Sequence, residues 1–151
     1  MLAIRLENAI SKLYQAFHNN TLNPDDCKHC AVGNILNQND TWKHLTDKHG
    51  DTKLNYVGLV NQKFGKRFAG YTPLELLQIE SVFLKACGYQ FVNNRLNRPE
   101  NVTDKDILFK GLEAVVGYLC QLENITHVMD CSVLFEYEPE KLQAKHNLVK
   151  I

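Results

Sequence analysis

At 151 residues the chain has the length of one domain and can bury a hydrophobic core without disulfide or metal staples. Its 17 basic residues equal its 17 acidic ones, which argues against bulk-charge affinity for nucleic acid or anionic membranes and leaves only a local patch for such a role. No apolar run reaches the roughly 18–20 residues that cross a bilayer, no basic-then-apolar leader opens the chain, and five scattered cysteines suit reduced thiols, so a cytoplasmic protein is expected.

Residues 2–18 form the first predicted helix, with Leu6, Ile10, Leu13 and Phe17 on one face and Asn19-Asn20 ending it. Asn23-Pro24-Asp25-Asp26 has the composition of a helix start, which would place Cys27 and Cys30 in the first two turns on a shared face. Asn37-Gln38-Asn39-Asp40 stops that helix. A short helix carrying Trp42, His44 and Leu45 follows, ending near His49-Gly50. A further helix is expected over 53–64, with Leu54, Val57, Val60 or Leu59, and Phe64 spaced for burial.

The clearest helix signature is Tyr71-Thr72-Pro73-Leu74-Glu75-Leu76. Thr72 and Glu75 have capping-box spacing, and Leu76, Ile79, Phe83 and Ala86 form the stripe to be buried. On the same helix, capping explains Glu75 and solvent exposure explains Glu80 better than a catalytic pair would. Residues 89–102 predict a polar loop. Thr103 to Asp106 starts a helix with Leu108, Leu112, Val115, Val116, Leu119 and Leu122 to bury. Gly111 and Gly117 within it imply either close helix approach or loose optimisation. Val133, Phe135 and Tyr137 alternate as in a short extended segment, and beyond Pro139 the chain is polar. The expected fold is all-α: five or six helices in one domain over 1–138, a short extended segment near its end, and a polar tail over 139–151.

The stretch richest in chemistry is Cys27 to His49. Cys27, Cys30, His44 and His49 have the spacing C-x2-C-x13-H-x4-H, close to that of a two-cysteine, two-histidine zinc site. A conventional finger is not expected, because the cysteines follow a helix start and the intervening apolar residues are missing. On one unbroken helix His44 and His49 would point about 140° apart, so convergence requires a break between them. Two other readings use the same residues. Cys27 and Cys30 are small buried residues of a helix face with His44 and His49 as ordinary surface or helix-end histidines, or the two thiols are a redox pair. His29 falls on another face, and Cys87, Cys120 and Cys131 are expected to be buried. Lys63-Phe64-Gly65-Lys66-Arg67-Phe68 interleaves cations with aromatics in a way that suits phosphate and bases, but Phe64 and Phe68 as core residues account for it better. No phosphate loop, dinucleotide fingerprint, nucleophile elbow or H-E-x-x-H motif occurs, and no catalytic residue is identified.

Cys27-Lys-His-Cys-Ala-Val-Gly-Asn-Ile-Leu36, Leu54-Asn-Tyr-Val-Gly-Leu-Val60 and Gly70-Tyr-Thr-Pro-Leu-Glu-Leu-Leu-Gln-Ile-Glu80 resemble a family of small proteins of Bacteroidetes-type bacteria. That family is often labelled as the F component of the sodium-translocating NADH:quinone reductase, and the resemblance would cover most of the chain. The label implies a component of an NADH dehydrogenase that carries flavin and a two-iron, two-sulfur cluster. The residues for that chemistry are missing. There is one C-x2-C and no C-x4/5-C-x2-C run, and no nucleotide-binding glycine motif, so neither FAD, NADH nor an iron–sulfur cluster is expected. The functional expectation is a small helical binding module with an unidentified protein partner or a second copy of itself, stabilised by one structural zinc. The alternative is a redox-associated protein using Cys27 and Cys30, or an accessory to an NADH:quinone reductase-type system.

Overall fold

The computed structural model describes residues 4–92, 95–125 and 130–138. Its helices are α1 (Ile4–His18), α2 (Ala31–Ile35), α3 (Tyr56–Lys63), α4 (Pro73–Ala86), α5 (Lys105–Leu122) and α6 (Cys131–Leu134). A 3₁₀ helix over Thr41–Leu45 lies between α2 and α3. Strands β1 (Gln90–Val92) and β2 (Arg95–Asn97) form an antiparallel pair with Phe91 opposite Leu96. The fold is all-α, as the periodicity predicts. The predicted tail over 139–151 lies outside the described residues.

α4 is the central helix. Thr72 Oγ1 accepts from Glu75 N–H at 3.2 Å, and Glu75 Oε1 accepts from Thr72 N–H at 2.9 Å, so the capping box closes. Its buried stripe of Leu76, Ile79 and Phe83 packs on Leu112, Val115, Val116 and Leu119 of α5 in one continuous core. Gly111 lets the two helices approach: a Cβ there would meet Cys87 Sγ at 2.6 Å and the Phe83 ring at 2.7 Å. At Gly117 nothing lies within 4 Å. Close approach therefore accounts for one of the two glycines only.

α1 buries Leu6, Leu13 and Phe17 against this pair. Arg5 fastens it: its guanidinium donates to Glu123 Oε1 at 2.5 Å, to the Gly70 carbonyl at 2.8 Å and to Glu75 Oε1 at 3.3 Å. One cation thus ties α1 to the end of α5 and to the first turn of α4.

Four local expectations are corrected. The Asn23 to Asp26 segment starts turns instead of a helix, because its side chains bind nearby backbone. Asn23 Oδ1 accepts from Asp25 N–H at 3.0 Å and Asp26 Oδ1 from Lys28 N–H at 2.9 Å. Cys27 and Cys30 therefore precede α2, and Cys30 is its N-cap, with Sγ accepting from Gly33 N–H at 3.4 Å. The polar 89–102 segment contains the β1–β2 pair. Residues 131–134 are helical, with Asp130 as cap, although the alternation there predicts an extended segment.

The fourth correction concerns α3, whose apolar residues face outward. Asn55 decides this. Its N–H donates to the Leu45 carbonyl at 2.9 Å, its Nδ2 to the His44 carbonyl at 2.9 Å, and its Oδ1 accepts from Gly58 N–H at 2.8 Å. This docks the helix by Gly58, where an added Cβ would lie 2.3 Å from the Leu45 carbonyl oxygen. Phe64, expected in the core, is 85% exposed, whereas Phe68 is partly buried against it.

The two glycines of α5 make a paired test. Gly111→Ala should destabilise by about 1–3 kcal/mol through overpacking. Gly117→Ala should stabilise by up to about 1 kcal/mol through helix propensity. Urea unfolding of the two variants checks both signs.

Candidate metal centre

The segments on either side of α2 and the middle of α4 meet at Glu80. Its side chain leaves α4 on the buried stripe and has no solvent exposure. Glu80 therefore corrects the expectation that it is solvated. Burying a carboxylate is costly unless its oxygens find donors. Here Oε2 lies 2.8 Å from His49 Nε2, and Oε1 accepts from Val32 N–H at 3.4 Å in the first turn of α2. Cys30 completes the group. One ligating atom from each of Cys30, His49 and Glu80 lies within 4.8 Å of the others, and these three residues can hold a metal ion.

His49 reaches this position because the chain breaks after the 3₁₀ helix. Thr46 is extended (φ −140°, ψ 159°), and its hydroxyl donates to the Lys53 carbonyl at 2.8 Å, closing a loop that carries His49 at its far side. Trp42, 1% exposed, supports the loop from beneath. Its indole stands edge-on to the His49 ring at 6.0 Å, and its Nε1–H donates to the Cys27 carbonyl at 3.0 Å. One side chain thus positions both the cysteine segment and the histidine.

Of the four residues with zinc-site spacing, Cys30 and His49 enter this group. Cys27 is half-buried and borders a small cavity of about 190 Å³ together with His49, Trp42 and Asp47. His44 is exposed on the 3₁₀ helix, and its backbone carbonyl is what Asn55 engages. The break between His44 and His49 is present, yet it brings only His49 into the group. His29 pairs with Asp26 at 2.8 Å on the exposed side of the turn.

The electrostatics are those of a donor set suited to a cation. Burial, and then the charge of Glu80, push the Cys30 thiol well above the usual thiol range. The same two causes raise Cys27. At His49 burial opposes the imidazolium, but the hydrogen bond and charge of Glu80 outweigh it and raise its basicity. The thiols of Cys87 and Cys131, away from this group, are pushed by burial up to about 12 and about 11, as suits inert core residues.

A larger cleft of about 560 Å³ opens between α1, the end of α2 and the Phe68–Gly70 connector. Its two cations are committed, Arg5 as above and Lys12 by donating to the Ile35 carbonyl at 3.1 Å. No helix among the described residues is long and apolar enough to cross a membrane.

Comparisons with family models, curated proteins and solved structures find no match for this chain.

Removing the Glu80 carboxylate leaves His49 and the Val32 N–H without their partner. Glu80→Ala should cost about 3–5 kcal/mol, as the loss of one member of a buried pair does. His44→Ala should change stability by less than about 0.5 kcal/mol. Chemical denaturation of both variants against the parent chain reads the difference.

Proposed function

We propose that this protein is a small helical binding module, not an enzyme, and that Cys30, His49 and Glu80 hold one structural zinc ion within it. The observation that carries the reading is the convergence of a thiol, an imidazole and a carboxylate from three separate segments within 4.8 Å. Zinc favours this mixture of donors, and in a tetrahedral site the donor atoms lie about 3.5 Å apart. The ion would take the place of the proton shared by His49 and Glu80 and of the Cys30 thiol proton, both released to solvent on binding. To reach that spacing the His49–Glu80 pair would open from 2.8 Å while the widest separation in the group closes by about 1 Å.

Three protein ligands leave a fourth position. Cys27, which lines a small cavity together with His49, is the protein candidate to fill it, and a water molecule is the other. The ion joins the N-cap of α2, the 46–53 loop and the middle of α4, three places far apart in sequence. That is the role of a structural clip, since metal affinity becomes folding free energy when the site exists only in the folded chain.

The redox alternative needs a thiol whose thiolate is favoured at neutral pH. Burial and the nearby carboxylate act in the opposite direction on both Cys27 and Cys30, which counts against a redox pair; a zinc ligand must also lose its thiol proton, but there the charge of the ion itself would stabilise the thiolate.

Elemental analysis and native mass spectrometry of untagged, reduced protein test the proposal. The expected result is one zinc per chain, lost in Cys30→Ala and His49→Ala and retained in His44→Ala. Stripping the ion should lower the thermal midpoint by about 5–10 °C, the scale for a site about a hundredfold saturated in a chain of this size. Protein that neither carries zinc nor takes up one equivalent in a titration would refute the site. Cycling of Cys27 and Cys30 to a disulfide at cellular potentials would favour the redox class.

A further inference from the structure

α3 is amphipathic in the wrong direction for a core helix. At 100° per residue, Lys63, Tyr56, Val60, Phe64 and Val57 span one contiguous face, and that face lies opposite Gly58, the residue by which the helix docks. Tyr56 is 81% exposed and Phe64 85%, with Val57 and Leu59 about half exposed. Large apolar side chains gathered on one projecting helix mark a contact surface, not ordinary scatter.

The charge along this stretch of chain is mostly of one sign, with two acidic residues at its border: Asp47, which accepts from Asn55 Nδ2 at 3.3 Å, and Asp51, which accepts from Lys53 N–H at 3.1 Å. Between Asp51 and Glu75 the chain has no acidic residue, while Lys53, Lys63, Lys66 and Arg67 fall in that interval and are exposed. None of the four is in an ion pair among the described residues. Lys66 lies over the Phe68 ring at 5.2 Å, and Arg67 donates to the Gly70 carbonyl at 3.0 Å. A chain that is neutral as a whole therefore concentrates positive charge in the segment that bears the most exposed large apolar side chains among the described residues, Tyr56 and Phe64.

We propose that this face docks on an anionic lipid bilayer surface, with Tyr56 and Phe64 entering the interfacial layer and the four cations meeting the headgroups. Charge complementarity selects an acidic occupant and disfavours a second copy, whose identical patch would bring cations against cations. Shape selects the membrane over a protein. A lipid surface needs no complementary groove. Aromatic tips with a Lys/Arg rim are what an interfacial helix presents to it. Each cation near such a surface strengthens binding on the order of fivefold, so four give on the order of several hundredfold over neutral lipid. The surface names the partner of the binding module proposed above, but it is read from α3 alone and does not require the ion.

Vesicle co-sedimentation of the purified full chain tests this, comparing phosphatidylcholine with phosphatidylcholine–phosphatidylglycerol at low and at 0.5 M salt. Binding to the anionic vesicles is expected, at least a hundredfold tighter than to neutral ones and weakened by salt. Lys63→Glu with Lys66→Glu should abolish it. Tyr56→Ser with Phe64→Ser should weaken it at least tenfold. All four side chains are exposed, and an unchanged circular dichroism spectrum and thermal midpoint confirm that the variants fold.

Failure to bind anionic vesicles would overturn the proposal, as would binding indifferent to the aromatic substitutions. Concentration-dependent dimerisation abolished by Phe64→Ser would assign the patch to a second copy. Equal, Phe64-dependent retention on single-stranded nucleic acid would assign it to that ligand. Zinc content measured on the same samples separates a failure here from a failure of the metal site.

Discussion

A carboxylate without solvent exposure is the constraint on which this architecture depends. Glu80 projects from the middle of α4 into a space where its oxygens must be met by donors or a cation. His49 and the Val32 N–H meet them, and the rest follows from the need to deliver those two groups. α2 must begin close to α4, which its cap at Cys30 arranges. The chain must also turn sharply after Leu45, and the Thr46 to Lys53 hydrogen bond holds that turn. Trp42 fills the space below, and Asn55 then docks α3 against the 3₁₀ helix. The polar centre thus sets the path of the chain from the α2 cap to the start of α3, and a structural ion there would strengthen a junction that already exists.

The outward face of α3 is a consequence of that path. Asn55 is anchored to two carbonyls of the 3₁₀ helix, and its side chain caps the first turn of α3. Gly58 is consequently the residue turned inward, and Tyr56 and Phe64 are turned out. Core burial is closed to them once the loop is fixed.

Much of the helical architecture is legible in the sequence. The capping box at Thr72 and Glu75, the stripe of Leu76, Ile79 and Phe83, and the long apolar run of α5 are dictated locally and agree with their tertiary setting. Sequence and structure part where side chains compete with the backbone. Asn23 and Asp26 use their side chains to build turns, although the same residue types also suit a helix start. For α3, periodicity locates a helix but does not tell which side docks, because a glycine contact outweighs the apolar stripe.

The centre is half legible. Cysteine and histidine spacing draws attention to Cys30 and His49, yet it also suggests His44, which the extended backbone at Thr46 separates from the group. Glu80 is expected at the surface, although its position holds a usable signal. It falls four residues after Leu76 and three before Phe83, on the stripe that must be buried. A charged residue at a core position of a helix calls for a partner, and a nearby C-x2-C with a histidine is where to look for one.

X-ray absorption at the zinc edge of the purified protein tests the central claim most directly, because it reports the donor atoms themselves. A mixed shell is predicted, with sulfur at about 2.3 Å and nitrogen or oxygen at about 2.0–2.2 Å. One sulfur would mean that water fills the fourth position, and two that Cys27 does. A shell of nitrogen and oxygen alone, or a protein that gives no zinc signal after reconstitution, would contradict the claim that Cys30, His49 and Glu80 form a metal clip.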